Sequence, residues 1–411
     1  MRAVSPPRLL AVGLVLVGLG AVVTGCGKSA HPEGGPEGTI PPVGAASAVG
    51  VATANTTRLG GEDPLSDAAA VARAVYPGLT SATRPQAVVL VDKHDWAASL
   101  AASVLASAPL SAPLLYSEGD TLPGASLDAL RALRASGAAA VGGAQVIRIG
   151  TRAPVPEGLR TRDVSAAGGP ANVAVAVQQL LDLARGSAHG PVIVLSADAP
   201  LALQMPAAGL AAESGAPILM LGADSVPAAT AAALTSLHHP AIYVVDPADV
   251  GKHALSALAG LGHVTPIPDG STRAAPAGPV ANATAVARFT DGTFGWGVKE
   301  PGHGLAFANA GRPFDAPASA LLSATGDYAP LLLLEGSVGV PSALAGYLSD
   351  IQPAYGSAPQ YQPVHGTYNH GWLIGDERAI SLRTQAEIDS MLQITPRHLS
   401  AEEEPPAATT E

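Results

Sequence analysis

Three stretches far apart in the chain are written almost alike: Ser111-Ala-Pro-Leu-Leu-Tyr-Ser-Glu-Gly119, Gly215-Ala-Pro-Ile-Leu-Met-Leu-Gly-Ala223 and Tyr328-Ala-Pro-Leu-Leu-Leu-Leu-Glu-Gly336. Repetition at a domain-sized period constrains a fold more than any single motif, because each copy must build the same local structure. Other features recur in the same order. Thr-Arg stands at 57–58, 161–162 and 272–273, 104 and 111 residues apart. Alanine-rich helical stretches follow at Asp67–Val75, Ala171–Ala184 and Asn282–Phe289. Then come apolar runs, Gln86–Val91, Pro191–Ser196 and Gly304–Asn309, a second alanine-rich helix, and the Ala-Pro strand. After a proline (Pro123, Pro227, Pro341) another helix is expected, and a closing strand at Gln145–Gly150, Ala241–Asp246 and Gly371–Gly375.

Short continuous apolar runs suit strands buried on both faces of a parallel sheet. Alternation of such strands with helices implies right-handed crossovers. The expected fold class is therefore α/β: three tandem small domains, each a parallel sheet with helices on both faces. Pro113, Pro217 and Pro330 punctuate helix-to-strand junctions, where a missing N–H costs little. With 47% hydrophobic and 13% charged residues the chain is far from the composition of disorder. Its 411 residues exceed what one core usually supports.

The N-terminus reads as a targeting signal. Arg2 and Arg8 precede an apolar run, Leu9–Val23, that ends at Val23-Thr24-Gly25-Cys26. That run is short for a membrane span, which takes roughly 20 residues. Cys26 is the only cysteine, so no intrachain disulfide is available. Its neighbourhood resembles a bacterial lipoprotein lipobox, which implies cleavage before Cys26 and diacylation of its thiol. The alternative is a free thiol at the signal-peptide edge. The expected organisation is a signal peptide over 1–25, lipidated Cys26 with a flexible Gly/Pro/Ala/Ser linker over 26–56, repeats over 57–157, 158–269 and 270–395, and a disordered acidic tail over 396–411.

A net charge of −11, with lysine nearly absent and no polybasic stripe, argues against a nucleic-acid partner. No metal-binding, nucleotide-binding or nucleophile motif is present, so no catalytic residue, metal or cofactor is expected. Leu334-Glu335-Gly336-Ser337-Val338-Gly339 fails the nucleophile-elbow spacing because Glu335 stands where glycine is required. His303, His365 and His370 share the third repeat with Asp315 and Asp376, leaving an envelope hydrolase with a His/Asp cluster there as the alternative function. Aromatic residues are 4% of the chain yet gather in the same repeat. Trp372 and Tyr361 are candidates for stacking on a sugar ring, or for filling a core that alanine cannot fill.

The motifs also resemble the cell wall-binding repeat 2 family, found as three tandem copies in surface proteins of Gram-positive bacteria. Arg58-Leu59-Gly60-Gly61-Glu62-Asp63 is similar to its opening motif, and Asp95 with Ala97-Ala98 and Asp315 with Ala316 fall at its middle aspartate. His370–Ser381 copies its closing motif. Pro64 departs from the opening motif, and the second repeat has Ala199-Pro200-Leu201 in place of the middle one. The lipobox-like Cys26 implies a lipid anchor on the outer face of the cytoplasmic membrane, and the repeat resemblance implies a cell-wall polymer or envelope glycan as partner. For an anionic polymer, Arg58, Arg162 and Arg273 would have to gather near a pseudo-threefold axis. Candidate ligand-binding residues are thus Arg58, Arg162, Arg273, Asp95, Asp315, Tyr361 and Trp372.

Overall fold

The structure is a computed structural model that describes residues 51–397 apart from 166, 188–189, 268–277, 325–327, 357–362 and 366–367. The expected signal peptide, Cys26, Arg273, Tyr361 and the tail from 398 onward lie outside the described residues. The chain opens with β1 (Thr56–Leu59) and α1 (Pro64–Val75), then runs β2 (Val88–Asp92), α2 (Trp96–Ala102), β3 (Leu114–Ser117), α3 (Gly124–Leu133), β4 (Val146–Ile149) and β5 (Thr161–Val164). Next come α4 (Pro170–Arg185), β6 (Val192–Ser196), α5 (Leu201–Gln204), α6 (Pro206–Ser214), β7 (Ile218–Leu221), α7 (Ala228–Ser236), β8 (Ala241–Val245), α8 (Lys252–Ala259) and β9 (His263–Ile267). The remainder is α9 (Pro279–Arg288), β10 (Gly304–Asn309), α10 (Asp315–Ala324), β11 (Leu331–Leu334), α11 (Ser342–Asp350), β12 (Ala354–Gly356), β13 (Pro363–His365), β14 (His370–Ile374), α12 (Leu382–Leu392) and β15 (Thr395–Arg397).

Three four-stranded parallel sheets share one topology, with orders β3-β2-β4-β5, β7-β6-β8-β9 and β11-β10-β14-β1. The α/β class read from the sequence is the class observed. A small mixed sheet, β13-β12-β15, is appended to the third. The Ala-Pro repeats have a common job. β3, β7 and β11 are edge strands, and the carbonyls of Pro113, Pro217 and Pro330 accept from Val89, Ile193 and Ala306 on the central strands at 2.9–3.0 Å. Proline supplies that acceptor and has no N–H to leave unpaired.

Sequence repeat and sheet are out of phase by one strand. β5 falls within 158–269 yet completes the first sheet, while β1, the first strand of the described chain, completes the third. A further offset is in register. Arg58 lies opposite Leu373, and the equivalent residue of β5, opposite Arg148, is Asp163 rather than Arg162. A one-residue slip sends a strand side chain to the other face. The first two Thr-Arg pairs are therefore similar in sequence and inequivalent in the fold.

The second helices of the three sheets meet one another. α10 packs on α6 and on the 3-10 turn Ser103–Ala106 that follows α2, and α6 packs on the same turn. Small side chains make this approach feasible: a methyl added at Gly209 of α6 would stand 2.7 Å from Ser323 Oγ of α10. Around this centre each sheet's leading helix lies on its neighbour's second helix, α4 on α2, α9 on α5 and α6, and α1 on α10. The last contact closes the succession, so the three seams form a cycle. Buried strands on both sides of it, such as Val88–Val91 and Leu331–Leu334, make one continuous apolar core.

Candidate functional site

The three seams are pseudo-equivalent, and their differences define the site. At the α1–α10 seam, Asp67 and Asp315 are both fully buried around Arg312. Arg312 Nε donates to Asp315 Oδ2 at 2.7 Å, its Nη1 donates to the Glu62 carbonyl at 3.1 Å, and its Nη2 donates to Asp67 Oδ2. Asp67 Oδ1 accepts from the Gly61 amide at 2.7 Å. Burial, and then the neighbouring Asp315, push the Asp67 carboxyl up to about 9, with Arg312 opposing. Burial raises Asp315 as well. Although burial disfavours its charge, Arg312 is held above its ordinary value by Asp315 and Asp67. Burial raises both carboxyls, so the pair around one guanidinium favours keeping a proton between them.

At the α2–α4 seam the corresponding space is open. β2 ends at Asp92, the turn Lys93-His94 leads to Asp95, and Asp95 caps α2 by accepting from the Ala98 amide at 2.9 Å. A cleft of about 520 Å³ lies here. Asp92, His94 and Asp95 line it on one side, with Pro170 at the start of α4, and Trp96, Leu201 and Met220 give the apolar lining beside the amide of Gln204. Trp96 is fixed by both neighbouring sheets. Its Nε1 donates to Gln204 Oε1 at 2.8 Å, and its ring meets the Phe314 ring edge-on at 5.6 Å. Gln204 is buried and also donates to the Ala199 carbonyl at 2.7 Å, so the platform is pre-set. Asp92 Oδ1 accepts from the His94 and Gly119 amides at 3.1 and 3.2 Å, and lies 3.1 Å from His94 Nδ1.

The sequence candidates are dispersed over this framework. Arg58 is 3% exposed. It donates to the carbonyls of Gly375, Asp376 and Ile380 at 2.7–2.9 Å and to Gln385 Oε1 at 2.9 and 3.2 Å, tying β1 to the exit of β14 and to α12. Burial lowers its pKa, which Glu377 and Asp376 partly offset. Arg58 is thus a strut of the fold, because the register that pairs it with Leu373 turns it under α12. Arg162 is exposed on β5. Arg58 is thus buried in the third sheet, whereas Arg162 is exposed at the edge of the first. Asp95 lines the cleft, Asp315 belongs to the buried charge cluster, and Trp372 meets His370 edge-on at 4.9 Å. Trp372 Nε1 is buried with no hydrogen-bond partner among the described residues.

Of the third repeat's histidines and aspartates, the His365 side chain lies outside those described, and His370 and Asp376 have separate partners. His370 Nε2 lies 3.1 Å from Thr57 Oγ1, burial lowers the His303 pKa, and Asp376 Oδ2 accepts from Arg378 Nε at 2.8 Å. Among the described residues no three His, Cys, Asp or Glu side chains are grouped to hold a metal. Trp96, Gln204, Asp67 and Arg312 were not singled out in sequence. Trp96 carried a signal, following Asp95 inside the Asp-Trp-Ala-Ala copy of the middle motif. Arg312 carried another, in the longer turn between β10 and α10.

The fold and site define a class: α/β proteins in which three parallel sheets close into a cycle, here with one seam open as a cleft. Among solved structures the chain is similar to Cwp8 from Clostridium difficile, with a TM-score of 0.59, 18% identity, and coverage of 83% of this chain and 53% of that one. It is also similar to Cwp6 from Clostridium difficile, with a TM-score of 0.61, 17% identity, and coverage of 86% and 50%. At these identities the likeness is one of fold, and the chain spans about half the length of either protein. No protein-family model matches it, and no curated protein matches it in sequence.

Proposed function

We propose that this is a non-enzymatic cell-envelope protein, anchored through lipidated Cys26, that binds a cell-wall polymer or envelope glycan non-covalently. The observation that carries the reading is the fold shared over more than four-fifths of the chain with the Clostridium difficile cell wall proteins Cwp8 and Cwp6. The lipobox-like Cys26 supports the anchor, and the repeat motifs support the binding role. The α2–α4 cleft is the binding site that best fits it. A concave surface with a fixed indole and a few convergent polar groups is what sugar recognition requires. Arg58 contributes through the fold alone, and Trp372 remains a secondary ligand candidate.

Co-sedimentation of the full chain with purified envelope material, before and after acid extraction of its polymers, tests the binding role. Binding to either preparation supports it, and loss after extraction assigns the ligand to the extracted polymer. Failure to sediment with both overturns it.

A further inference from the structure

The open seam can be read against the filled one. Strand register aligns Asp92 with Asn309, since Val89 pairs with Leu114 as Ala306 pairs with Leu331 at the start of the Ala-Pro strands. Both residues make the same turn: Asp92 Oδ1 accepts from the amide of His94, and Asn309 Oδ1 from that of Gly311. Asp95 and Asp315 then each stand four residues before a buried serine, Ser99 and Ser319. Between turn and aspartate the third sheet inserts three more residues, and the longer turn delivers Arg312. In the filled seam, then, a guanidinium lies 2.7 Å from the middle-motif carboxyl. In the open seam the equivalent carboxyl, Asp95, faces a cleft whose described lining contains a second carboxyl, Asp92, the imidazole of His94 3.1 Å from it, and neither lysine nor arginine. Pro170 at the start of α4 has no N–H to offer an anion.

We infer that the α2–α4 cleft binds an amine-bearing glycan unit, its ammonium beside Asp95 and Asp92 where the other seam holds Arg312, and its ring on Trp96. The inference rests on the reading that the protein binds an envelope glycan. A phosphodiester polymer would instead bring negative charge to two carboxyls. An ammonium gains charge-assisted hydrogen bonds from them. The fixed indole provides a stacking face with little ordering cost on binding.

Isothermal titration calorimetry of the full chain with four probes tests this: a glucosamine oligomer with free amines, its fully N-acetylated counterpart, a glycerol-phosphate polymer and an arginine-rich peptide. The glucosamine oligomer is expected to bind at least tenfold more tightly than the acetylated one, and the anionic polymer not to compete. Asp95→Asn retains a good helix cap while removing the charge, and Asp92→Asn is its companion. Each is expected to reduce affinity at least tenfold with circular dichroism unchanged. Equal binding of the acetylated oligomer, preference for the anionic polymer, or no binding of the amine probe overturns the inference. Preference for an arginine-rich peptide over the amine sugar also overturns it. The proposed function stands or falls separately on sedimentation with whole envelope material.

Discussion

Asp67 is the residue at which burial and charge conflict most directly. Its folded value of about 9 lies above an unfolded value of about 3.9, so the folded chain keeps a proton that the unfolded chain has released. The associated stability is fully present below about pH 4. It is lost as pH rises toward 9, with a slope of up to about 1.4 kcal/mol per pH unit. Asp67→Asn removes the titration, and its single carbonyl can take the place of only one of the two oxygens that accept from Gly61 and Arg312. Thermal melts are expected to show the parent losing stability between pH 6 and 9 and the variant losing less. Identical pH profiles would show that Asp67 is ionised in the fold. The sequence exposed Asp315 through its motif, but not this cluster, because partners 245 residues apart meet only when the cycle closes.

At the scale of elements, β1 is the closure. It occupies in the third sheet the place that β5 and β9 occupy in theirs, and Arg58 fixes it to four acceptor groups. Arg58→Ala leaves the Gly375 and Ile380 carbonyls and Gln385 Oε1 without that donor, at about 1–3 kcal/mol each where water cannot reach them, while the Asp376 carbonyl keeps the Ala379 and Ile380 amides. A loss of at least about 3 kcal/mol is expected in urea unfolding, with faster proteolysis near residue 60. A loss below 1 kcal/mol would mean that β1 is held chiefly by its backbone ladder. Strands and helices were legible here because apolar runs, proline and alanine-rich stretches report local structure. The pairing of β1 was not, since nothing local distinguishes a strand that completes its own sheet from one that completes another. The Thr-Arg repeat misled for a related reason: an offset of one residue preserves the sequence likeness and reverses the face.

At the scale of the whole molecule, a cycle of three similar seams can specialise them separately. The α1–α10 seam is sealed by a half-buried guanidinium between two buried carboxyls, while the α2–α4 seam keeps a cleft beside an equivalent aspartate. The threefold repetition was visible in the sequence, and so was the three-residue difference between turns. What that difference does becomes visible only when strand register aligns the two turns. The central claim is that the open seam binds the ligand because it lacks its own cation. Grafting the missing residues tests this most directly: Ala-Gly-Arg, copied from the β10–α10 turn, is inserted between Asp92 and Lys93, which sets the arginine three residues before Asp95 as Arg312 stands before Asp315, and sedimentation with envelope material is measured beside the parent. The account predicts a folded variant whose inserted arginine occupies the cleft and whose envelope binding falls at least tenfold. Binding equal to the parent's, with the arginine lodged at Asp95, would contradict it.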